Sequence, residues 1–361
     1  MLQLALTRAF YENRGQQMNI QDFFNSPVMQ LPRDRDDEDF ERYLKNLFQD
    51  YLRAVKTLNS RCHLCARILG AEKEIEQLSA WIKNAVRHYL AGTPEAAYKE
   101  LLNGINFVYP RLQPMRSLEI DSAAIGNLYR IVDTQGKTVP KERLFHAPFN
   151  LRHKVGQHRY GIPGFPCLYL GGSLALCIEE CRIQPPALPG ISVAEFGFRK
   201  KVKFLDFGYR PSALARYAAG SSMRPLGANP DFEQFIIDYA TCWPLIAASS
   251  IKAMHDREPF VYEYIIPQMI LQWIMSNGEC DGIRYFSTRF IPDPEAVRST
   301  ANYVFPAIHG SGPQTGYSQR LKDAFELTEP VVWGPVKDSN LIREALNKEG
   351  ELNASAKAPI A

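Results

Sequence analysis

The sequence predicts an α+β protein in which a small helical bundle precedes a domain built on a mixed or antiparallel sheet. Apolar residues recur at helical spacing through the first third, whereas short β-type runs follow from about Leu128. Those runs are irregularly spaced and no strand–helix alternation repeats, which argues against a doubly wound parallel sheet. With 361 residues, the chain exceeds what one hydrophobic core usually serves, so two domains are expected.

Three helices are predicted in the first third, which we assign to an accessory domain over residues 1–115. The first follows the acidic run DRDDED and carries an apolar stripe from Phe40 to Leu58, with acids at the end where they complement the helix dipole. The second ends before Gly92, a residue typical just beyond a helix C-terminus. Thr93, followed by proline, suits the N-cap and first turn of the third.

Short strand-like runs such as LYRIVD, SVAEFGF, GIRYFS and NYVFP dominate residues 120–345, and helices are predicted between them. We assign this range to one sheet-containing domain. Residues 346–361 are mostly small and polar, so we expect a disordered tail there.

Composition narrows the classes of function. The chain is 45% hydrophobic and 22% charged, and its net charge of +3 suits an anionic small ligand but falls short of a nucleic-acid footprint. The longest apolar stretch, from Tyr262 to Met275, is interrupted and too short to span a bilayer. The 7 cysteines are an odd number in a chain too large to need disulfides, which favours reduced thiols and a cytoplasmic location.

No metal site is expected. Cys62, His63 and Cys65 form a lone C-x-x-C group without a second pair of ligands nearby, so packed thiols are favoured over zinc. Three histidines between residues 146 and 158 lack acids at ligand spacing, and a cationic loop that attracts phosphate is favoured there. The chain also lacks the P-loop, dinucleotide-binding, nucleophile-elbow and zinc-protease signatures.

Residues able to bind a charged ligand come from strands and turns far apart in the sequence. Arg130 lies in a predicted strand, where its planar guanidinium suits either a surface ion pair or a bidentate clamp on phosphate. Arg159 precedes a glycine-rich turn, which lets a ligand approach closely. Glu179 and Glu180 end a predicted helix and point about 100° apart, so at most one enters a shared pocket. A later strand delivers Ser287.

Each of these residues alone has an equally good structural explanation, and only their joint order carries a functional interpretation. Arginine, tyrosine, glutamate and serine side chains together suit a pocket that binds a dianionic pyrophosphate, stacks on a flat ring and stabilises a developing cation. Those are the requirements of chemistry on NAD.

The same residues resemble the RES domain, a family named for its Arg, Glu and Ser. The resemblance rests on LYR, then FHAPFNLRHKVGQHRYGIPGFPCLYLGGSLALCIEE, then DGIRYFSTRF, and covers roughly Leu128 to His309. It implies a fold similar to ADP-ribosyltransferases, and toxins of toxin–antitoxin systems that degrade NAD by hydrolysis or phosphorolysis. The helical first third resembles the accessory N-terminal region of some longer RES proteins.

By position, the resemblance implies a role for individual residues, with NAD as substrate and no cofactor. Two departures stand out, because Ile131 replaces an aromatic residue of many members and Gly161 replaces a serine. The positions that match the catalytic residues of the family are Arg130, Glu180 and Ser287. The further positions implied to bind NAD are Arg159, Tyr160 and Tyr169.

The resulting hypothesis is cleavage of the nicotinamide–ribose bond by a toxin or defence effector, with water or inorganic phosphate as acceptor. A mono-ADP-ribosyltransferase acting on a protein or nucleic acid is the alternative, and a non-catalytic binding module is a third hypothesis. The expected partners are NAD, phosphate and a neutralising antitoxin or regulatory protein. We also expect a homo-oligomer, and we expect residues 1 to about 115 to pack against the catalytic domain over residues 120–345 or against a second copy of the chain.

Overall fold

The chain folds into two compact units, each made of two separate segments. The first unit consists of Met1–Arg116 and Tyr209–Trp273, and the second of Ser117–Gly208 and Ile274–Ala361. The division differs from the predicted single domain over residues 120–345, because the middle of that range belongs to the first unit. The computed structural model describes residues 17–116, 119–183, 190–218, 232–289, 300–309, 316–334 and 341–360.

All the described strands belong to the second unit, whereas most of the long helices belong to the first. In chain order the described helices are α1 (Ile20–Asn25), α2 (Phe40–Lys56), α3 (His63–Gly70), α4 (Glu72–Leu90), α5 (Pro94–Phe107), α6 (Tyr109–Leu112), α7 (Ser122–Ile125), α8 (Leu174–Cys181), α9 (Pro211–Ala218), α10 (Phe232–Ala248), α11 (Ile265–Asn277), α12 (Gln319–Ala324) and α13 (Leu341–Asn353). The strands are β1 (Leu128–Asp133), β2 (Cys167–Gly171), β3 (Ile191–Phe198), β4 (Phe204–Phe207), β5 (Gly282–Phe286), β6 (Ala301–Pro306), β7 (Phe325–Thr328), β8 (Val331–Val332) and β9 (Lys357–Pro359).

The three helices predicted in the first third are present as α2, α4 and α5. The Asp39 side chain accepts a hydrogen bond from the backbone N–H of Arg42, so the acidic run caps α2. Gly92 follows α4 with a φ of 78°, in the left-handed region that glycine adopts without strain. Pro94 starts α5, where a missing backbone N–H has no consequence.

Helix α4 packs against both α2 and α10, and Tyr51 of α2 also contacts α10 directly. The Tyr51 ring stacks on Trp243 with centroids 4.1 Å apart, and its hydroxyl donates to the Ala240 carbonyl at 2.6 Å. Residues 235–248 of α10 are all buried, as expected for a helix surrounded by protein. The predicted packing of the first 115 residues against a later part of the chain is therefore present within the first unit, with α10 as the partner helix.

Charged side chains also join the two segments of the first unit. Arg111 donates to both carboxylate oxygens of Glu74, at 3.0 and 2.9 Å, and to the buried Asp238 at 3.1 Å. Arg35 donates to the buried Glu263 at 3.0 Å. Burial raises the pKa of Asp238, while hydrogen bonds from Gln234 and Arg111 oppose that rise. Removing either arginine would leave a buried carboxylate without its cation, which is strongly destabilising.

The described strands form one mixed sheet in the order β4-β5-β6-β2-β1-β3-β7-β9, with β8 pairing beside β3. Strands β4 and β5 are parallel, and the other neighbours are antiparallel. The predicted α+β class is therefore confirmed. Between β1 and β2 only Tyr129 and Gly171 are paired, so the sheet opens on one side of this contact.

A buried ion pair holds the parallel strands β4 and β5 together. Arg284, one of the two arginines that flank Ser287 in sequence, donates to both oxygens of Asp206 at 2.9 Å. Only glycine fits at position 208 without displacing Arg284, since a Cβ there would lie 2.6 Å from the Arg284 Nη1 atom. Arg284 thus has a structural position in the sheet.

The C-terminal residues differ from the predicted disordered tail. Helix α13 extends to Asn353, and β9 pairs with β7 at the edge of the sheet. The Glu349 carboxylate accepts a hydrogen bond from the Leu174 N–H at 2.6 Å, at the start of α8, and Lys357 pairs with the buried Glu195. The polar composition of residues 346–361 predicted disorder. The ordered structure of residues 346–360 comes from contacts with a distant strand and a distant helix.

We expect a chain that begins at residue 120 to be insoluble. Without α2 and α4, the faces of α10 that carry Tyr239 and Trp243 would be exposed to water, forming an apolar patch typical of aggregating proteins. The soluble fraction after expression measures this, with the full chain as control. A soluble, monomeric fragment with full helix content would contradict the role given to α10.

Candidate functional site

The opening between β1 and β2 places Arg130 and Tyr169 on the two strands that separate. Arg130 follows the paired residue Tyr129 and bonds through its backbone only to β3, while Tyr169 belongs to the ladder between β2 and β6. The sequence of the two strands thus brings an arginine and a tyrosine to the mouth of the same opening.

Arg130 carries a charge that the described residues do not neutralise. Its Nη1 atom is buried and lacks a hydrogen-bond partner within the described ranges. Burial lowers the pKa of Arg130; Cys181 and Tyr169 oppose the shift, and the nearby Arg143 guanidinium adds to it. Arginine does not deprotonate in proteins, so this shift indicates a cation held at an energetic cost. An anionic ligand would provide the missing partner.

The turn over residues 158–161, which contains Arg159 and Tyr160 and is called the RY turn below, packs against Tyr169. His158 and Gly161 exchange two backbone hydrogen bonds, at 3.0 and 3.1 Å, and the Tyr169 hydroxyl donates to the Tyr160 carbonyl at 3.2 Å. A Cβ at position 161 would overlap the Tyr169 hydroxyl oxygen. The glycine at position 161 therefore has a local cause, since Tyr169 fills the space that a side chain would occupy.

The two tyrosines predicted to bind NAD differ in their surroundings. The Tyr160 ring is 1% exposed and packs on Tyr285 at 4.6 Å, so it lies in the interior of the second unit. Tyr169 is half-buried, its ring contacts His158 edge-on at 5.2 Å, and burial raises its pKa well above the usual value. Tyr169 is the tyrosine that stays partly accessible.

Glu180 points into the site and Glu179 is exposed to solvent. One Glu180 oxygen accepts a hydrogen bond from the Asn302 amide at 2.6 Å, and the other lies 3.7 Å from the Arg289 Nε atom. Asn302 lies in β6 opposite Gly171, next to the point where β1 and β2 part. The geometry therefore distinguishes the two glutamates that the sequence left as alternatives.

Ser287 and Arg159 join the same network through the residues that follow β5. The buried Ser287 hydroxyl oxygen accepts a hydrogen bond from the Arg289 N–H at 3.1 Å. Arg159 is also buried, and its Nη2 atom donates to the Thr288 hydroxyl at 3.3 Å. The structure thus links five of the six predicted residues, within the second unit, through hydrogen bonds, an ion pair and neighbouring positions in the chain. The sixth, Arg130, is related to Tyr169 by the electrostatic effect on its pKa.

Sequence reasoning missed Asn302 and did not assign Arg289 a role. Asn302 is the one amide in the otherwise apolar strand ANYVFP, and that contrast is the signal that marks it. Cys181 was also missed, although it follows Glu180 directly. Burial raises the pKa of the Cys181 thiol, the Arg130 charge opposes the rise and the Glu180 charge adds to it.

Two histidines of the loop before Arg159, His146 and His158, have surroundings that disfavour their charged form. Burial lowers the pKa of His146 to about 4, and its Nε2 atom accepts a hydrogen bond from the Ser318 N–H at 2.9 Å. Burial also lowers the pKa of His158, with Arg130 contributing to the shift. His146 is therefore neutral at pH 7, whereas Arg152, Lys154 and Arg159 supply positive charge in this region.

Neither a membrane span nor a metal cluster is present in the described part of the chain. None of the helices in the described ranges has both the length and the apolar character that crossing a membrane requires. Where the structure describes the chain, no group of three or more histidine, cysteine, aspartate or glutamate side chains is placed to hold a metal ion. All seven cysteines are free thiols.

Comparison with known proteins finds a similar protein whose name describes it as a toxin. The chain is 27% identical over 303 residues to a Bacillus subtilis (strain 168) protein with the name Putative toxin YopC. The match covers 82% of this chain and 66% of the relative, so the chain spans just under two thirds of that protein's length. No family model matches the chain, and no solved structure matches it. The resemblance to the RES domain and to ADP-ribosyltransferases therefore stays a prediction.

Replacing Gly161 with alanine should lower the free energy of unfolding by about 1–3 kcal/mol, because the added methyl group overlaps the Tyr169 hydroxyl. Gly156→Ala is the matched control, since no atom lies within 4 Å of a Cβ there. Urea unfolding measures both. In a Tyr169→Phe background the cost of Gly161→Ala should shrink, and an equal cost in both backgrounds would show that the hydroxyl is not the obstacle.

Proposed function

We propose that this chain is an NAD-degrading toxin that cleaves the nicotinamide–ribose bond, with water or inorganic phosphate as acceptor. Two observations in the second unit carry the proposal. The buried Nη1 atom of Arg130 lacks a hydrogen-bond partner among the described residues. The carboxylate of Glu180 is held by the Asn302 amide and lies 3.7 Å from the Arg289 Nε atom. The name of the Bacillus subtilis relative supports a toxic role. The resemblance to the RES domain supports NAD as the substrate.

Cleavage of this bond makes two demands on a protein. Nicotinamide departs as a neutral molecule, so the leaving group needs little assistance. The ribose becomes oxocarbenium-like and positively charged, and the attached pyrophosphate carries two negative charges. A site for this reaction must therefore place a carboxylate near the sugar and cations near the phosphates, with both fixed before the substrate arrives.

In the proposal, Glu180 stabilises the developing positive charge on the ribose. Its two oxygens already have an amide and a guanidinium as neighbours, so the carboxylate is oriented in advance. Fixed orientation is what makes electrostatic stabilisation effective, because the group does not have to reorganise during the reaction. Ser287 is buried and holds the Arg289 backbone, so we assign it the positioning of that arginine.

Arg130 and Arg159 are the proposed pyrophosphate ligands. The guanidinium group presents several N–H donors in a plane, which matches phosphate oxygens bidentately. Arg130 has an unpartnered donor for this purpose, and Tyr169 beside it offers a partly accessible ring. Tyr160 is buried and would act by supporting the turn that carries Arg159.

The group that accepts the ADP-ribose distinguishes this proposal from a mono-ADP-ribosyltransferase, and the release of nicotinamide distinguishes both from a binding module. Incubation of the purified chain with NAD alone should release nicotinamide, together with ADP-ribose or its phosphate when phosphate is supplied. A transferase would release nicotinamide at a useful rate only when a protein or nucleic-acid target is added. Lack of any nicotinamide under either condition would contradict both enzymatic proposals and favour a binding module.

We expect Glu180→Gln to reduce NAD cleavage by about 100- to 1,000-fold, since the substitution keeps the shape and removes the charge. Glu179→Gln is the matched control and should retain most of the activity, because Glu179 is exposed. Nicotinamide release by the purified variants is the measurement, with circular dichroism to verify the fold. Equal activity of the Glu180→Gln variant and the unaltered chain would remove Glu180 from the mechanism.

Arg130→Lys should raise the Kd for NAD by about tenfold, since an ammonium group keeps the charge but not the bidentate geometry. Arg199→Lys, on the exposed surface of the same unit, should leave the Kd unchanged. Calorimetric titration of NAD into the Glu180→Gln background measures binding without turnover. Indistinguishable affinities of the two lysine variants would contradict a phosphate contact at Arg130.

A further inference from the structure

The first unit carries a groove lined with positive charge, where the start of α2 meets the end of α4. The groove has a volume of about 330 Å³, and we call it the basic groove, defined by Arg42, Lys45, Lys83 and Arg87. Within the described ranges, none of these four side chains forms an ion pair with a carboxylate. A single carboxylate, Glu41, also lines the groove. The excess of positive charge favours a negatively charged occupant.

An acidic loop lies immediately before α2. We define it as Asp34–Asp39, the run DRDDED that also caps the helix. Asp36 and Asp37 have φ angles of 52° and 58°, so a left-handed turn holds both at the surface, and both residues are exposed. Asp34 binds Lys252 at 3.1 Å, which fixes the start of the loop. The loop therefore presents negative charge at a defined place next to the basic groove.

An apolar patch adjoins the loop and the groove. We define it as Leu90, Phe260 and Tyr262, which are 36%, 41% and 40% exposed. The Arg35 guanidinium of the acidic loop lies 5.5 Å from the centre of the Tyr262 ring, and Tyr262 contacts Phe260 at 4.9 Å. Leu90 follows the groove residues of α4 by about one helical turn. Negative, apolar and positive surfaces thus neighbour one another on the first unit.

We infer that this surface of the first unit, made of the acidic loop, the apolar patch and the basic groove, binds the same surface of a second copy of the chain. In a two-fold contact, the acidic loop of each copy would enter the basic groove of the other, and the apolar patches would meet at the centre. A two-fold interface must be self-complementary, and an apolar centre with a polar rim is the usual composition. The inference does not depend on chemistry at NAD.

A nucleic acid is the less suitable occupant of this surface. Acidic and basic side chains balance over the described part of the first unit, whereas nucleic-acid binding requires an extended positive surface. The acidic loop beside the groove would repel a phosphate backbone, but it is the feature that a second copy requires.

The test is the mass of the full chain in solution, measured by analytical ultracentrifugation at increasing protein concentration. We expect a dimer that weakens as NaCl rises from about 0.05 to 0.5 M, since exposed charges are screened over that range. Lys45→Glu with Lys83→Glu should raise the dimer Kd by at least about tenfold, because like charges would then face each other. Asp36→Asn with Asp37→Asn should also weaken the dimer, and asparagine tolerates the left-handed backbone.

Mixing two charge-reversed variants gives the sharpest result. The Lys45→Glu, Lys83→Glu variant and an Asp36→Lys, Asp37→Lys variant should each self-associate at least about tenfold more weakly than the unaltered chain. Their mixture should form a heterodimer, since both reciprocal contacts then join opposite charges. Lys200→Glu with Lys201→Glu makes the same change of net charge at exposed positions of the second unit and should leave the dimer intact.

Three outcomes would overturn the inference. A chain that stays monomeric at every concentration would assign the surface to a different occupant, such as an acidic segment of another protein. A dimer that survives both sets of charge changes would have its interface elsewhere. Failure of the mixed variants to associate, while each retains its native circular dichroism spectrum, would show that the loop and the groove do not meet.

Discussion

A single backbone pair, between Tyr129 and Gly171, joins the two halves of the sheet in the second unit. Strands β1 and β2 bond outward to β3 and β6 along the rest of their length, so neither loses its place in the sheet when they separate. Buried backbone groups must find partners, and the outer ladders supply them. The two strands can therefore separate while each keeps its backbone hydrogen bonds to its outer neighbour. Arg130, Tyr169 and the RY turn all lie beside the resulting opening.

The candidate site depends on this opening and on segments that come from three other places in the chain. Asn302 of β6 pairs with Gly171 on one side and with Tyr285 on the other, and its amide binds Glu180. Helix α8, which ends beside that amide, is held at its start by Glu349. The carboxylate is therefore positioned from both ends of its helix.

Local rules predicted the parts of the fold that local interactions determine. The start of α2 followed from its acidic cap and apolar stripe, and the strands around Arg130 and Tyr169 followed from short β-type runs. The position of α10 against α4 and Tyr51 could not be predicted in this way, because α10 is buried along most of its length and its sequence has no polar face to orient it. The C-terminal residues looked disordered because their order comes from long-range contacts with β7 and α8.

The site residues show the same limit at the level of side chains. A motif placed Glu180 near the end of a helix, but only the fold shows that Asn302 meets it and that Glu179 points to solvent. Tyr160 follows Arg159 in sequence and looked equally available, whereas its ring packs on Tyr285 in the interior. Spacing along the chain predicts which residues come close, but burial decides which of them a ligand can reach.

The interleaving of the two units also has a consequence during synthesis. Translation proceeds from the N-terminus, and domains generally fold as units once their residues are available. The first unit is complete only after Trp273, and the second only after the segment that begins at Ile274. Arg130, Arg159 and Glu180 are therefore made well before the strand that contains Asn302. A nascent chain that carries all three still lacks the assembled cluster, so any activity of the site would begin only after Asn302 has emerged from the ribosome.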